Sequence, residues 1–240
     1  MVLDAFLTNE QKNTGVKQLF QSYIDNPERF EEIFYDCFEY PYSVFFRDYD
    51  YQKSLLKILQ KYYRNDFFIR YSFFKKRLTK HSAVSVFEVP IEESRIDIAS
   101  INGNSVAYEI KTNYDSYIRL KKQLQDYSTC FEYVYVICPH KKINAIKKIV
   151  PDWCGIICYN DKISCEFLTA KDATFTKNLN PQKQLKNMRK SELKECFGSS
   201  DTDYIISNYS SDLINTKFKS ALKKRFTEKS NQLKKRCSSL

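Results

Sequence analysis

The sequence predicts an α/β fold: a mixed β-sheet with helices on its faces, flanked by helical regions at both ends. Three observations predict it. Short β-branched and aromatic runs cluster between residues 82 and 168. The second and third of these runs are joined by Asn102-Gly103-Asn104, a strong turn signal, so they form an antiparallel hairpin. An amphipathic helix then separates the third run from the fourth, and hairpin followed by helical crossover gives a mixed sheet.

The elements follow in chain order. Residues 8–80 are expected to be mostly helical, with aromatic and aliphatic faces around Phe20, Phe30, Phe34, Leu55, Ile58, Phe67, Tyr71 and Phe74. Such a stripe is first a core stripe, with stacking on splayed bases as a second use. Pro41 marks a break between helices. Strands are expected at 83–89, 95–101, 105–112, 133–138, 155–159 and 163–168. The last two form a hairpin around Asn160-Asp161-Lys162. One helix, 116–127, crosses between the third and fourth strands. Another, 141–149, precedes the fifth and ends at Pro151. A helix over 185–197 stops at Gly198, residues 199–203 read as a flexible link, and a basic helix begins at Leu213. The chain therefore divides into a helical region (1–80), a sheet core (81–170) and a helical region with a basic tail (171–240). No internal repeat or low-complexity tract is present.

The hairpin carries the chemistry. Side chains alternate faces along a strand, so Glu109 and Lys111 share one face. Ile96, Ile98, Val106, Tyr108 and Ile110 fall on the other, which is expected to be core. A two-residue turn would set Asp97 against Tyr108, on the wrong face. A three-residue loop sets Asp97 opposite Glu109, Arg95 opposite Lys111 and Ala99 opposite Ala107. The two alanines would then floor the charged face and leave room for an ion and a phosphate. Two carboxylates beside a lysine can hold a divalent cation and a water, which phosphodiester hydrolysis requires. The plainer reading is an edge hairpin with a solvated polar face.

The helix after the hairpin adds to this. Asp115 and Ser116 are suitable N-cap residues. Leu120, Gln123, Leu124 and Tyr127 recur at i, i+3, i+4 and i+7 on one face. A buried amide needs partners, and Gln123 would find them if this face packs beside the charged strands, near a phosphate or a water on the metal. The alternative is a half-exposed glutamine.

These residues resemble a known family. Asp97, then Glu109-Ile110-Lys111, then Gln123-x-x-x-Tyr127 resembles the PD-(D/E)xK nuclease superfamily, with the last element similar to its RecB-like and lambda-exonuclease-like branch. More closely, Glu88, Arg95-Ile96-Asp97-Ile98-Ala99, Tyr108-Glu109-Ile110-Lys111, Asp115, Arg119-Leu120, Gln123 and Tyr127 resemble a bacterial group with an R-x-D-I-A … Y-E-I-K … Q-x-x-x-Y pattern. The resemblance is specific from Glu88 to Pro139 and continues weakly through Trp153-Cys154-Gly155 and Glu192-Leu193. It implies a restriction-endonuclease-like core. It also implies Mg2+ (or Mn2+) held by Asp97, Glu109, the Ile110 carbonyl and an upstream acid. Glu88 is the candidate for that acid, with Glu92, Glu93 or an acid on the N-terminal helices as alternatives. Lys111 would orient or activate the attacking water, with Gln123 beside it. Arg95, Arg119 and Tyr127 would face the nucleic acid. Where the family often has proline before the first acid, this chain has Ile96.

Composition agrees with a nucleic-acid enzyme. The net charge is +10, suited to a polyanionic partner. No apolar run of 18 residues exists, and the first residues lack a signal-peptide pattern, so a cytoplasmic protein without a membrane partner is expected. Residues 217–236 hold nine Lys/Arg and one acid, Glu228, and so carry most of that charge. Phe218, Leu222, Phe226 and Leu233 recur within this segment at near-helical spacing, with fraying expected around Cys237-Ser238-Ser239. The segment, with Lys217, Lys223, Lys224 and Arg225, could track a phosphate backbone, lie on an anionic membrane, or be a solvated terminal helix. The eight cysteines are expected to remain thiols. Cys138, His140, Cys154, Cys158 and Cys165 raise a metal question, but the last two fall in the expected strand hairpin, where cysteine acts as a small hydrophobe.

The expected function is therefore a Mg2+-dependent nuclease acting on DNA more readily than RNA, in repair or in defence against foreign DNA. The alternatives are a catalytically silent nucleic-acid-binding or interaction protein on the same fold, and an RNA-cleaving toxin. Nothing in the sequence specifies a protein partner, and a homo-oligomer is compatible with it.

Overall fold

The computed structural model describes residues 3–25, 27–46, 50–79, 82–160 and 165–238. They form two compact units, Met1–Phe68 and Ile69–Leu240. The expected divisions at 80 and 170 are not where the chain separates. The helical segment from Ile69 and everything after residue 170 belong with the sheet.

The first unit is helical: α1 (Leu3–Phe6), a π-helical turn, α2 (Val16–Asp25), α3 (Phe30–Phe38) and α4 (Tyr51–Tyr62). Its aromatic stripe is core. Phe30, Phe34, Phe38 and Tyr42 are buried, with the Phe34 and Phe38 rings 4.8 Å apart. The Tyr42 hydroxyl is satisfied 2.8 Å from Ser54 Oγ. α3 stops at Glu39 in the left-handed region (φ 61°), and Pro41 follows as the break.

α5 (Asp66–Phe73) runs through the boundary and continues as a π-helical turn, Phe74–Leu78. Six strands then form one mixed sheet in chain order: β1 (Val84–Ile91), β2 (Ser94–Asn102), β3 (Asn104–Ile110), β4 (Tyr133–Pro139), β5 (Gly155–Tyr159) and β6 (Phe167–Lys171). β1, β2 and β3 are antiparallel, β3, β4 and β5 parallel, and β6 antiparallel to β5. The parallel steps use α6 (Leu120–Ser128) and α7 (Ile143–Lys147) as crossovers. The chain closes with α8 (Pro181–Lys186), α9 (Lys190–Phe197), α10 (Thr202–Asn208) and α11 (Ser211–Ser238).

The hairpin register is the three-residue one. Ala99 faces Ala107 and Asn102 faces Asn104, with Gly103 at the tip in the left-handed region (φ 75°) that glycine supplies without strain. Other expectations need correction. The helix after β3 starts at Leu120, because Asp115 does not cap it. Its carboxylate accepts from the Thr112 amide at 2.6 Å and closes a turn after β3. Residues 202–208 are a helix capped by the Asp201 carboxylate, not a flexible link. The helix over 185–197 is two helices. β6 starts at Phe167, and residues 161–164 of the expected hairpin lie outside the described residues.

The faces differ most from expectation. Ala99 and Ala107 do not floor an open site. They lie in one buried cluster with Leu120, Leu124 and Tyr127 of α6, Leu185 and Leu193 of α8 and α9, and Phe218 and Leu222 of α11. Ile96, Ile98 and Ile110 are buried as expected, but Val106 and Tyr108 are half-buried. They line a groove of about 630 Å³ with Tyr133 and Tyr135. Gly155 is needed there, since a Cβ would lie 2.3 Å from the Tyr135 ring and 2.7 Å from the Ala173 amide.

The basic helix α11 belongs to this core. Phe218 and Leu222 are fully buried. Lys219 reaches buried Glu132 at 2.6 Å, and Arg225 Nε lies 2.7 Å from Glu192 Oε1. Glu132 also accepts from the Ser105 amide and from Asn215, both at 2.7 Å, so α11 is anchored to the start of β3.

Candidate active site

The site lies where the first three strands part. Phe87 faces Ile98 and Val89 faces Ile96, so Glu88 stands opposite Asp97. The β2–β3 register, continued past Ile98 and Tyr108, sets Asp97 opposite Glu109. Glu88, Asp97 and Glu109 are thus one row across three neighbouring strands. The ladders are interrupted at this row. Glu88 takes a left-handed conformation (φ 60°), which costs a side-chain-bearing residue about 1 kcal/mol or more. The Ile110 amide donates to Asp97 Oδ2 at 2.7 Å, drawing that carboxylate between the strands.

Each carboxylate has a basic partner. Lys111 Nζ lies 2.7 Å from Glu109 Oε1 and donates to Gln123 Oε1 at 3.0 Å. Glu109 is 2% and Lys111 7% exposed, so the pair is desolvated. Arg70 of α5, also 7% exposed, forks onto two strands: Nη1 pairs with Glu88, and Nη2 lies 3.2 Å from Asp97 Oδ1. Arg95, largely exposed, pairs with Glu88 from the solvent side. Three anions therefore meet three cations.

The sequence-derived residues are thus partly assembled. Asp97, Glu109, Ile110, Lys111, Gln123 and Glu88 come together. Glu92 and Glu93 form the β1–β2 turn and pair with Lys183 and Lys122, leaving Glu88 as the upstream acid in the row. Arg95 and Arg119 are exposed and within reach of a strand, Arg95 while paired with Glu88. Tyr127 is not. It is fully buried, with its hydroxyl 2.7 Å from both Glu109 Oε2 and the Arg95 carbonyl. Burial and then the Glu109 charge raise its pKa, so the phenol keeps its proton and holds Glu109 in place. In the basic helix, Lys223 is exposed and Lys217 half-buried. Lys224 is paired with Glu195, and Arg225 is half-buried against Glu192, which removes it from the set of phosphate contacts.

Arg70 is the residue that sequence reasoning missed. A signal was present: it is the one charge in the apolar and aromatic run from Phe67 to Phe74, where a helix would bury it and oblige it to find a carboxylate.

Among the described residues, no three His, Cys, Asp or Glu side chains are gathered as a metal cluster. The carboxylate row is held by basic side chains instead. Its chemistry fits Mg2+ or Mn2+ all the same: hard anionic oxygens on adjacent strands, with a backbone carbonyl next to one of them. The cysteine cluster is different in kind. Cys138 and Cys158 are buried neighbours across β4 and β5, and Cys154 is buried at a thiol pKa pushed up to about 12 by desolvation. No described helix is long and apolar enough to cross a membrane.

Comparison with known proteins gives the chain's relatives. It is 29% identical over 128 residues to Protein cII of Enterobacteria phage P4, covering 53% of this chain and 48% of that protein. The chain thus spans about half the length of the curated relative it matches. Among solved structures, SPO1766, a protein of unknown function from Silicibacter pomeroyi, aligns with a TM-score of 0.36 at 18% identity, over 47% of this chain and 73% of that one. The family model described as Bacteriophage P4 protein cII matches residues 68–239, nearly the whole second unit with its carboxylate row and basic helix. The chain belongs to the bacteriophage P4 protein cII family.

Proposed function

We propose that this protein is a Mg2+- or Mn2+-dependent nuclease of the PD-(D/E)xK type. It hydrolyses phosphodiester bonds, in DNA more readily than in RNA, within the cytoplasm, in repair or in defence against foreign DNA. The observation that carries the reading is that Asp97 of β2, Glu109 of β3 and Lys111 just after β3 are brought together with Gln123 of α6. Asp97, Glu109, the Ile110 carbonyl and Glu88 would hold the ion. When bound there, the ion supplies Lewis acidity toward a phosphoryl oxygen and favours hydroxide over water.

The chain's own groups do the rest. An ammonium has three donors. Lys111 gives one to Glu109 and one to Gln123, and the third is available for the attacking water or a phosphate oxygen. Its fixed charge offsets the negative charge that builds on the phosphate. Tyr127 keeps Glu109 from turning away, and the exposed Arg95 and Arg119 offer phosphate contacts at the mouth.

A second reading has one observation in its favour. The row is charge-compensated by Arg70, Arg95 and Lys111 without any metal, as a silent nucleic-acid-binding protein would also arrange it. Incubation of purified protein with linear, circular and single-stranded DNA and with RNA, in Mg2+, Mn2+ or EDTA, separates the two. Cleavage that needs the metal and disappears in a Glu109→Gln protein that still melts cooperatively supports the nuclease. Binding without cleavage under every metal condition overturns it, and metal-dependent cleavage of RNA alone overturns the DNA preference.

A further inference from the structure

We infer that Arg70 is an internal counter-cation that holds Glu88 and Asp97 until a divalent ion and a phosphate enter together. It then passes from the carboxylates to the phosphate. This rests on the metal-dependent reading of the same site. The argument begins with charge. Glu88, Asp97 and Glu109 sit on three consecutive strands, at neighbouring positions in the row. Strands lie about 4.8 Å apart. At that spacing, like charges that are only partly exposed repel one another, so the row is stabilised by compensation.

Arg70 provides it in a particular geometry. One nitrogen of the fork pairs with the acid on β1 and another with the acid on β2, which spans the gap between adjacent carboxylates as a divalent ion would. The side chain is 9% exposed, so it cannot share the row with an added ion by retreating partly into solvent. An ion added to the compensated row leaves a net charge of two beside the half-buried Glu88 and Asp97 and the buried Glu109, which is unfavourable. A phosphate arriving with the ion supplies negative charge. The guanidinium released from Glu88 and Asp97 matches phosphate oxygens in the same forked manner that it matches carboxylates. Ion and phosphate should then each strengthen the binding of the other.

The test uses the whole protein, Mn2+ followed by electron paramagnetic resonance, and thymidine monophosphate, which carries a phosphate but no diester to cleave. Wild type should bind Mn2+ weakly alone and about tenfold more tightly with the nucleotide present. Arg70→Gln removes the competing cation, so it should bind Mn2+ about tenfold more tightly than wild type without nucleotide, and the nucleotide should add little. Its melting temperature should rise more with Mn2+ than that of wild type. Arg70→Lys keeps a charge but not the fork, and covers the case in which Arg70→Gln fails to fold. It should retain weak Mn2+ binding and lose most of the tightening by nucleotide.

An Arg70→Gln protein that melts normally yet binds Mn2+ no better than wild type overturns the inference. So does an Arg70→Lys protein that keeps the full tightening. In either case Mn2+ still binds and the metal reading stands. If neither wild type nor any variant binds Mn2+, with or without nucleotide, the metal reading falls and takes this inference with it.

Discussion

The ammonium of Lys111, just past the end of β3, lies 2.7 Å from Oε1 of Glu109, two residues back in the chain, and both side chains are buried. Removing one member leaves the other charged and dry, at a cost of about 3–5 kcal/mol. Glu109→Ala should therefore fold poorly, and its lack of activity would be uninformative. Glu109→Gln keeps the shape and an acceptor for Lys111. It should melt cooperatively, with a smaller loss, and still lack metal-dependent cleavage. Circular dichroism melts beside a cleavage assay check both points.

Tyr127→Phe tests whether the tyrosine positions Glu109 or touches substrate. Loss of a bond to a charged group should cost about 1.5–3 kcal/mol. The effects of Tyr127→Phe and Glu109→Gln should fall short of additive by about 0.5 kcal/mol or more, because the two side chains share one contact. Cleavage should slow while the salt dependence of DNA affinity stays at the wild-type slope. A changed slope would return Tyr127 to the nucleic-acid interface.

The basic helix makes opposite predictions for its two faces. Phe218 is fully buried in the common core, so Phe218→Ala should cost about 3–5 kcal/mol. Deletion of everything after Thr216 should abolish cooperative melting. Lys223 is exposed, and Lys223→Ala should leave the melting temperature unchanged. If that lysine meets a phosphate, the slope of log affinity against log salt should shrink by about 1. An unchanged slope assigns α11 to structure alone.

Alkaline pH should weaken the fold through the thiols. Burial pushes Cys130 from 9.0 up to about 11 and Cys154 up to about 12. A thiol with a folded pKa above its unfolded one stabilises the fold below the unfolded value, and that stability is lost as pH rises through the folded value. Urea midpoints should therefore fall between pH 9.0 and about 12, and Cys154→Ala should flatten the fall. Iodoacetamide should label these two thiols only on unfolding. Rapid labelling of the native protein would contradict the burial.

The parts legible in the sequence were those set by local rules. Asn102-Gly103-Asn104 fixed the hairpin register because a left-handed glycine admits few alternatives, and the register placed Asp97 opposite Glu109. The spacing of Leu120, Gln123, Leu124 and Tyr127 identified the face of α6 that turns to the strands. What remained hidden depends on packing between distant segments. Nothing local to Ala99 and Ala107 shows that α6 covers them. Nothing in residues 217–236 reveals that Glu132, more than eighty positions earlier, receives Lys219. Tyr127 looked like a substrate contact because its motif position was visible and its burial was not.

The position of α11 has a consequence beyond the core it completes. Among the described residues, β1 is the first strand of the sheet and has a strand neighbour on one side only. On its other side, the Ser85 amide donates to Ser230 Oγ at 3.0 Å and Lys234 donates to the Ala83 carbonyl at 2.7 Å. Side chains of the helix thus occupy backbone groups that would otherwise pair with a strand from another molecule. Local opening of α11 would bare that edge before the sheet itself unravels. Partly denatured protein should accordingly self-associate through β1, at a denaturant concentration where the strands are still formed.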